Sequence, residues 1–228
     1  MKMKEQVISK QRVADHGEVF TNEREVNAML DLVKQETGRI DSRFLEPACG
    51  TGNFLTEILR RKLNAVEKKY RRSQLDYERY LVLAVSSIYG IDILEDNVVK
   101  CRQRLFDMAD ERYSVLFKKK AREQVRQALR YILSKNIIWG DALDLKTAGA
   151  HPQQIIFAEW SFPLHNSQIK RRDFVFAELL PDDLQKRRLP DLFSKPELVS
   201  DLGEKVFLPT ETRSHPLVHF LKVGEEHE

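Results

Sequence analysis

The first element that the sequence predicts is an amphipathic helix. Apolar residues recur at helical spacing from Val26 to Val33, after a polar N-cap at Thr21 or Asn22. The residues between these apolar positions are mostly polar and would form the opposite face, as expected for a helix that packs on a core along one side. The pattern therefore predicts a helix over residues 22–36.

Short apolar runs bounded by turn residues then alternate with amphipathic stretches. Residues 43–47 predict a strand, which a glycine turn joins to a helix containing Phe54, Ile58 and Leu63. Beyond it, the pattern predicts helices over residues 75–86, 95–117 and 119–134 and strands over residues 87–92, 136–141 and 154–158. Strands that alternate with helices favour a parallel sheet, so we expect an α/β fold.

The composition changes after residue 180. Five prolines lie in the last 48 residues, and charged residues show no helical period there. We expect a domain over residues 1–180 and a loosely structured, Pro-rich extension over residues 181–228. Two short apolar runs, residues 205–208 and 217–221, predict a hairpin within that extension.

The composition excludes a membrane-spanning chain and a largely disordered one. The 228 residues are 42% hydrophobic and 32% charged, the mean hydropathy is -0.47, and no segment has the ~18 apolar residues of a transmembrane helix. The start of the sequence lacks the apolar stretch of a signal peptide. Cys49 and Cys101 are too few for a disulfide framework or a four-ligand zinc site. We expect a cytoplasmic protein with no membrane contact and no bound metal.

The glycine turn after the first strand indicates a nucleotide-type pocket. Gly50 and Gly52 let a ligand approach the backbone, and the following helix offers free N–H groups. Leu55 stands where a dinucleotide-binding motif has its third glycine, and no P-loop lysine follows, so NAD and ATP are disfavoured. Asp92 ends the second strand, where a carboxylate can accept bonds from ribose hydroxyls. Asp141 ends the third strand, within reach of an exocyclic amine.

Four segments resemble the class I S-adenosylmethionine-dependent methyltransferases. They occur in the family's order: HGEVFT at residues 16–21, FLEPACGTGNFL at residues 44–55, YGIDI at residues 89–93 and GDAL at residues 140–143. The glycine-rich segment is the most specific of them. Within the class, the chain is most similar to the bacterial DNA adenine methyltransferases of restriction-modification systems.

The resemblance implies a fold, a cofactor and a set of cofactor-binding residues. The fold would be a three-layer, Rossmann-like methyltransferase core with a mostly parallel sheet, preceded by the helix over residues 22–36 and carrying inserted helices within residues 64–134. The cofactor would be S-adenosylmethionine. The implied cofactor-binding residues are Val19, Phe20, Thr21, Glu46, Pro47, Ala48, Cys49, Gly50, Gly52, Asn53, Phe54, Asp92, Ile93, Asp141, Ala142 and Leu143.

The segment after the fourth predicted strand departs from the family. There the family has Asn, Asp or Ser followed by two prolines and an aromatic residue. These groups hold the target amine and stack on the flipped base. Here Ser161 and Pro163 occupy the first and third positions, Phe162 replaces a proline, and Trp160 precedes them. The resemblance makes these four residues the catalytic candidates. About 65 residues follow Pro163, too few for the remaining strands and a target-recognition domain, so we expect a chain truncated relative to the family.

Three basic runs are candidate phosphate-binding surfaces. Residues 60–72 contain seven basic residues and one acidic residue, and residues 118–130 contain six and one. Each of these two runs lies in a predicted helix and is equally compatible with a solvated helix face. Lys170, Arg171 and Arg172 follow the catalytic candidates, which favours contact with nucleic acid.

Two functions from different classes follow. The first is a methyltransferase subunit that acts on the adenine amino group of DNA, with sequence specificity supplied by a partner subunit. A homodimer and a hetero-oligomer are both open. The alternative is an inactive accessory subunit that binds S-adenosylmethionine or DNA. The cofactor motifs also leave RNA and protein open as substrates.

Overall fold

The computed structural model describes Arg12 and residues 21–164, 166–180, 198–199, 205–206 and 210–225. These residues form an α/β structure with one mixed sheet, a second antiparallel sheet and a two-stranded hairpin. Within this described part, no helix combines the length and the apolar composition that crossing a bilayer would require.

The elements follow one another closely along the chain. The helices are α1 (Glu23–Asp31), α2 (Lys34–Thr37), α3 (Asn53–Tyr70), α4 (Gln74–Ser86), α5 (Glu95–Phe117) and α6 (Glu123–Asn136), with 3-10 turns at Lys118–Lys120, Phe176–Leu179 and Phe220–Glu225. The strands are β1 (Phe44–Glu46), β2 (Ile88–Asp92), β3 (Ile137–Asp141), β4 (Lys146–Thr147), β5 (Ile156–Ser161), β6 (Gln168–Val175), β7 (Leu198–Val199), β8 (Lys205–Val206), β9 (Arg213–Ser214) and β10 (Val218–His219). The helices predicted over residues 75–86 and 95–117 are confirmed almost to the residue.

The predicted first helix is broken into α1 and α2. Asn22 caps α1, with its side-chain oxygen accepting the Glu25 N–H at 3.0 Å. At Val33 the backbone leaves the helical region, with φ −116° and ψ 33°. The break turns the chain so that Val26 and Thr37 are both buried, and both helices pack on α3.

The first sheet places three strand ends side by side. β1, β2 and β3 are parallel neighbours in that order, with Glu46 opposite Gly90 and Asp92 opposite Trp139. β4 folds back antiparallel along β3. The loops that follow β1, β2 and β3 therefore meet at one edge, which we call the carboxyl edge.

The predicted fourth strand exists as β5, but its expected place in the parallel sheet is wrong. β5 pairs antiparallel with β6, and β6 also pairs with β9 and β10. A parallel neighbour needs a crossover of about a dozen residues or more, usually a helix. The connection from β3 instead forms β4 and contains no helix, and β5 takes β6 as its antiparallel neighbour.

β5 crosses from the carboxyl edge of the first sheet to its other end, the amino edge. Just before β5, the Ile155 N–H donates to the Leu145 carbonyl at 3.0 Å, close to the end of β3. Near the end of β5, the Trp160 indole donates to Asn136 Oδ1 at 3.0 Å. Asn136 directly precedes β3 and itself donates to the Ile88 carbonyl at 3.1 Å.

Part of the C-terminal extension packs into the core, which corrects the expectation of a loosely structured segment. Phe220 and Val223 are fully buried in the same apolar cluster as α6. The predicted hairpin is also wrong, because β8 pairs with β7 while β10 pairs with β6. Of the run at residues 205–208, the last two residues lie outside the described residues.

Lys62 is a fully buried cation that holds the segment before β1. Its ammonium donates to the carbonyls of Arg39 (3.2 Å), Ile40 (3.0 Å) and Ser42 and to Ser87 Oγ (2.8 Å). Burial lowers the pKa of Lys62 to about 7, because the charged form loses its hydration. The segment that leads into β1 therefore depends on one titratable group.

We expect the stability that Lys62 confers to rise with pH. Its pKa is about 7 in the folded protein and about 10.4 in the unfolded chain. Between these two pKa values the unfolded chain binds more protons than the folded protein does, so the free energy of unfolding increases as pH rises. The free energy of unfolding of the wild type relative to Lys62→Met should increase by about 2 kcal/mol from pH 7 to pH 9. Urea denaturation measures it.

Lys69→Met, at an exposed position on the same helix, is the matched control and should show no such trend. A difference between wild type and Lys62→Met that is constant with pH would contradict the prediction. It would mean that the four oxygen acceptors keep the ammonium charged throughout.

Candidate functional site

The loop between β1 and α3 requires glycine at two positions. Gly50 and Gly52 have φ values of 52° and 86°, in the left-handed region that strains other residues. A Cβ on Gly52 would lie 2.7 Å from Cys101 Sγ. Gly52 is also the N-cap of α3, so the free N–H groups of the first helical turn follow it. The loop therefore exposes backbone N–H groups that no side chain covers at the two glycines, next to the positive end of a helix dipole.

Asp92 joins this loop to the end of β2. Its Oδ2 accepts the Gly50 N–H at 2.7 Å, and its Oδ1 accepts the Leu94 N–H at 2.9 Å and the Asn97 amide at 3.2 Å. One residue earlier in each segment, the Cys49 N–H donates to the Ile91 carbonyl at 2.9 Å. Asp92 therefore holds the turn of the loop against the second strand.

Asp141 organises the turn after β3 at the same edge. Its Oδ1 accepts the N–H groups of Leu143 at 2.7 Å and Asp144 at 3.3 Å. Two apolar side chains at this edge are exposed to solvent: Ile93 is 48% exposed and Leu143 is 72% exposed. The remaining predicted residues at this edge are Glu46, Pro47, Ala48, Asn53, Phe54 and Ala142.

The cysteine in the loop is a buried free thiol. The neighbouring Cys101 thiol and burial raise the pKa of Cys49 far above its usual range, and the charges of Asp92 and Glu46 add to the effect. Burial also raises the pKa of the Glu46 carboxyl, against the opposing hydrogen bond from the Ala48 N–H. A thiol that stays protonated supplies neither a nucleophile nor a metal ligand.

Arg104 braces the loop from α5, a role that the sequence pattern did not predict. Its guanidinium donates to the Thr51 carbonyl at 2.6 Å and to Asn53 Oδ1 at 2.9 Å. Asn53 in turn donates to the Thr21 carbonyl at 3.1 Å. Arg104 lies 53 residues from Thr51 inside a helix, where the sequence carries no signal of this contact. The predicted cofactor-binding residues Val19 and Phe20 lie outside the described residues.

The four catalytic candidates lie at the amino edge, away from Asp92. Trp160 is 4% exposed in the core, and Phe162 packs against Phe220. Ser161 lines a cavity of about 540 Å³ together with residues that precede β1 and β2, whereas Pro163 is exposed. The two edges are separated by the length of β2, roughly 16 Å for five residues. The structure thus gathers the cofactor-loop residues and leaves this segment at the other end.

The comparisons with known proteins identify the family. A family model described as MmeI, DNA-methyltransferase domain, matches residues 18–160, which is more than half of the chain. The chain belongs to this family. Searches of curated proteins and of solved structures gave no match. The part matched by the MmeI DNA-methyltransferase family contains the glycine loop, Asp92 and Asp141 and ends within β5.

The third basic run lies on β6, beyond the part that matches the MmeI DNA-methyltransferase family. Arg171 pairs with Asp173 at 2.8 Å and donates to the Tyr131 hydroxyl at 2.7 Å. Arg172 forms an ion pair with Glu159. Arg171 and Arg172 therefore hold β6 against α6 and β5. Contact of Lys170, Arg171 and Arg172 with nucleic acid stays a prediction.

The described residues contain no group of three or more His, Cys, Asp and Glu side chains placed to hold a metal ion. The groups that the described residues present at the carboxyl edge are backbone N–H groups, two carboxylates and exposed apolar side chains. This combination suits a ligand that has a polar chain, a diol and a flat ring.

Proposed function

We propose that this MmeI-type domain binds S-adenosylmethionine at the carboxyl edge and uses it to methylate DNA. The single observation that carries the proposal is the hydrogen bond from the Gly50 N–H to Asp92, which joins the bare loop after β1 to the carboxylate after β2. On this proposal, β1 to β3 and their flanking helices belong to a three-layer, Rossmann-like methyltransferase core.

The residues at this edge fit the parts of the cofactor. The loop from Glu46 to Asn53 offers N–H groups and a helix N-terminus to the methionine carboxylate. Asp92 would accept one ribose hydroxyl, since a carboxylate has about four acceptor positions and the protein uses three of them here. The exposed Ile93 and Leu143 would cover the adenine ring, with the Asp141 carboxylate in reach of its amine.

When bound, S-adenosylmethionine supplies an electrophilic methyl group on a sulfonium sulfur. The chain's own contribution would be to orient the cofactor, with Asp92 holding its sugar and the backbone loop its amino acid end. The proposed substrate is the adenine amino group of DNA within a restriction-modification or related defence system in the cytoplasm. A partner subunit or a second copy would supply sequence recognition. The resemblance to DNA adenine methyltransferases supports this choice.

The position of residues 160–163 favours a second candidate function. The target amine must be held next to the cofactor. Ser161 lies at the amino edge, at the opposite end of the strands from the proposed cofactor site. A chain that binds S-adenosylmethionine but obtains its catalytic groups elsewhere would act as an accessory subunit of a modification complex. The antiparallel course of β5 is the observation that supports this alternative.

Replacement of the ribose-binding acid should weaken cofactor binding. Asp92→Asn keeps the shape and one acceptor oxygen but removes the charge, so we expect a loss of about 1.5–3 kcal/mol, roughly 10- to 150-fold in Kd. Calorimetric titration of S-adenosylmethionine measures it. Asp107→Asn, on the exposed face of α5, is the control and should bind as the wild type does. If both variants bind S-adenosylmethionine with equal affinity, Asp92 does not contact the cofactor.

The role of Ser161 is tested by the rate of methyl transfer. Because Ser161 lies at the amino edge, we expect Ser161→Ala to leave incorporation of labelled methyl groups into DNA within about twofold of the wild type, far below the 10²–10³ effect of losing a transition-state contact. The assay uses the full complex with its natural partners. A decrease of about 100-fold in the rate of methyl transfer would contradict this expectation and would show that Ser161 takes part in catalysis.

A further inference from the structure

Seven exposed basic side chains gather where α3 ends and where the turn after α5 begins. The two parts adjoin, because the Gln74 amide donates to the Lys120 carbonyl at 2.7 Å. We call this surface the distal basic cluster. Its members are Lys68, Lys69, Arg71, Arg72, Lys118, Lys119 and Lys120.

The positive charge of the cluster is not neutralised within the part of the chain that the structure describes. Glu67 is paired with Arg112 at 3.2 Å, and Glu123 is paired with Arg130 at 3.0 Å. No ion pair joins any of the seven cations to another described residue. Like charges at this density repel one another, and an anion from outside the chain would relieve that repulsion.

The three lysines of the cluster sit on a turn that the fold holds in place. Lys118 has a φ of 49°, a left-handed conformation that is strained for a residue with a side chain. After the turn, the Arg122 N–H donates at 2.8 Å to the hydroxyl of Tyr113, which is fully buried. The fold therefore fixes the backbone from which three adjacent lysine side chains extend into solvent.

The distal basic cluster is far from the cofactor loop. Both helices that carry it start at the carboxyl edge and run away from it, and α3 has 18 residues, which corresponds to about 27 Å. Nucleotides whose base reaches the cofactor loop cannot lie on the cluster at the same time. Nucleotides on the cluster would therefore lie about eight base pairs or more from the target base along a duplex.

We propose that the distal basic cluster binds the phosphate backbone of duplex DNA at nucleotides other than those that reach the cofactor loop. The proposal rests on the proposed function, because DNA enters as the substrate of this family. Lysine and arginine side chains on a fixed turn bind backbone phosphates without reading sequence. A groove of about 350 Å³ between α3 and α5 adjoins this surface and is lined by Asn64, Glu67, Lys68, Arg71 and Leu116, with the Glu67 carboxylate paired to Arg112.

The test is duplex binding as a function of salt. The full chain is titrated into a labelled 30-base-pair duplex of random sequence, and anisotropy is followed from low to high KCl. The Lys118→Gln, Lys119→Gln, Lys120→Gln triple variant should bind about 10- to 100-fold more weakly at about 0.1 M salt, with a salt slope that is lower by about 2 to 3. The matched control carries Arg24→Gln, Lys34→Gln and Lys222→Gln, three exposed charges outside the cluster.

A loss in the triple variant alone supports the proposal. Equal losses in both triple variants, or no loss in either, overturn it, because the cluster would then be ordinary solvated surface. A triple variant that keeps duplex binding but loses binding to polyglutamate or to phosphatidylglycerol vesicles overturns the assignment to DNA. Titration of S-adenosylmethionine into the same proteins separates the two claims. A wild type that binds duplex through the cluster but binds no cofactor contradicts the proposed function and leaves this inference standing.

Discussion

The hydrogen bond from the Gly50 amide to Asp92 is the contact on which the candidate site depends. The loop after β1 has no side chains to hold it at its two glycines, so its buried N–H groups need acceptors elsewhere. Asp92 supplies one at 2.7 Å and fixes the loop against β2, while Arg104 braces the other side of the turn. The strand order then brings Asp141 to the same edge. Bare backbone, two carboxylates and a helix N-terminus form one surface as a consequence.

Local patterns in the sequence predicted most elements well but failed on the course of β5. Helix and strand signals depend on near neighbours, so α4, α5 and β2 could be placed closely. The direction of β5 depends on β6, whose run of charged residues does not look like a strand. Arg171 and Arg172 are neutralised by Asp173 and Glu159, partners that no local pattern shows. The same tertiary contacts decide that residues 160–163 lie at the amino edge. The cofactor loop was predictable because its glycines and Asp92 are local signals.

The molecule divides its candidate chemistry among separate surfaces. The carboxyl edge carries the features expected of a cofactor site, and the amino edge carries the segment that resembles half of a catalytic motif. The distal basic cluster lies at the far end of α3. Core packing does not require the exposed positive charge of this cluster. Lys62 belongs to the same basic run as Lys68 and Lys69, but it is buried and holds the segment before β1. One basic run therefore contains both a packing residue and a surface suited to an external partner.

The central claim is that S-adenosylmethionine lies at the carboxyl edge. Hydrogen–deuterium exchange with and without S-adenosylmethionine tests it most directly, because it reports backbone protection segment by segment. With S-adenosylmethionine bound, we expect slower exchange in residues 46–53, 92–97 and 141–145 and unchanged exchange in residues 41–43 and 160–162. Protection confined to residues 41–43 and 160–162 would place the ligand in the cavity at the amino edge and contradict the account.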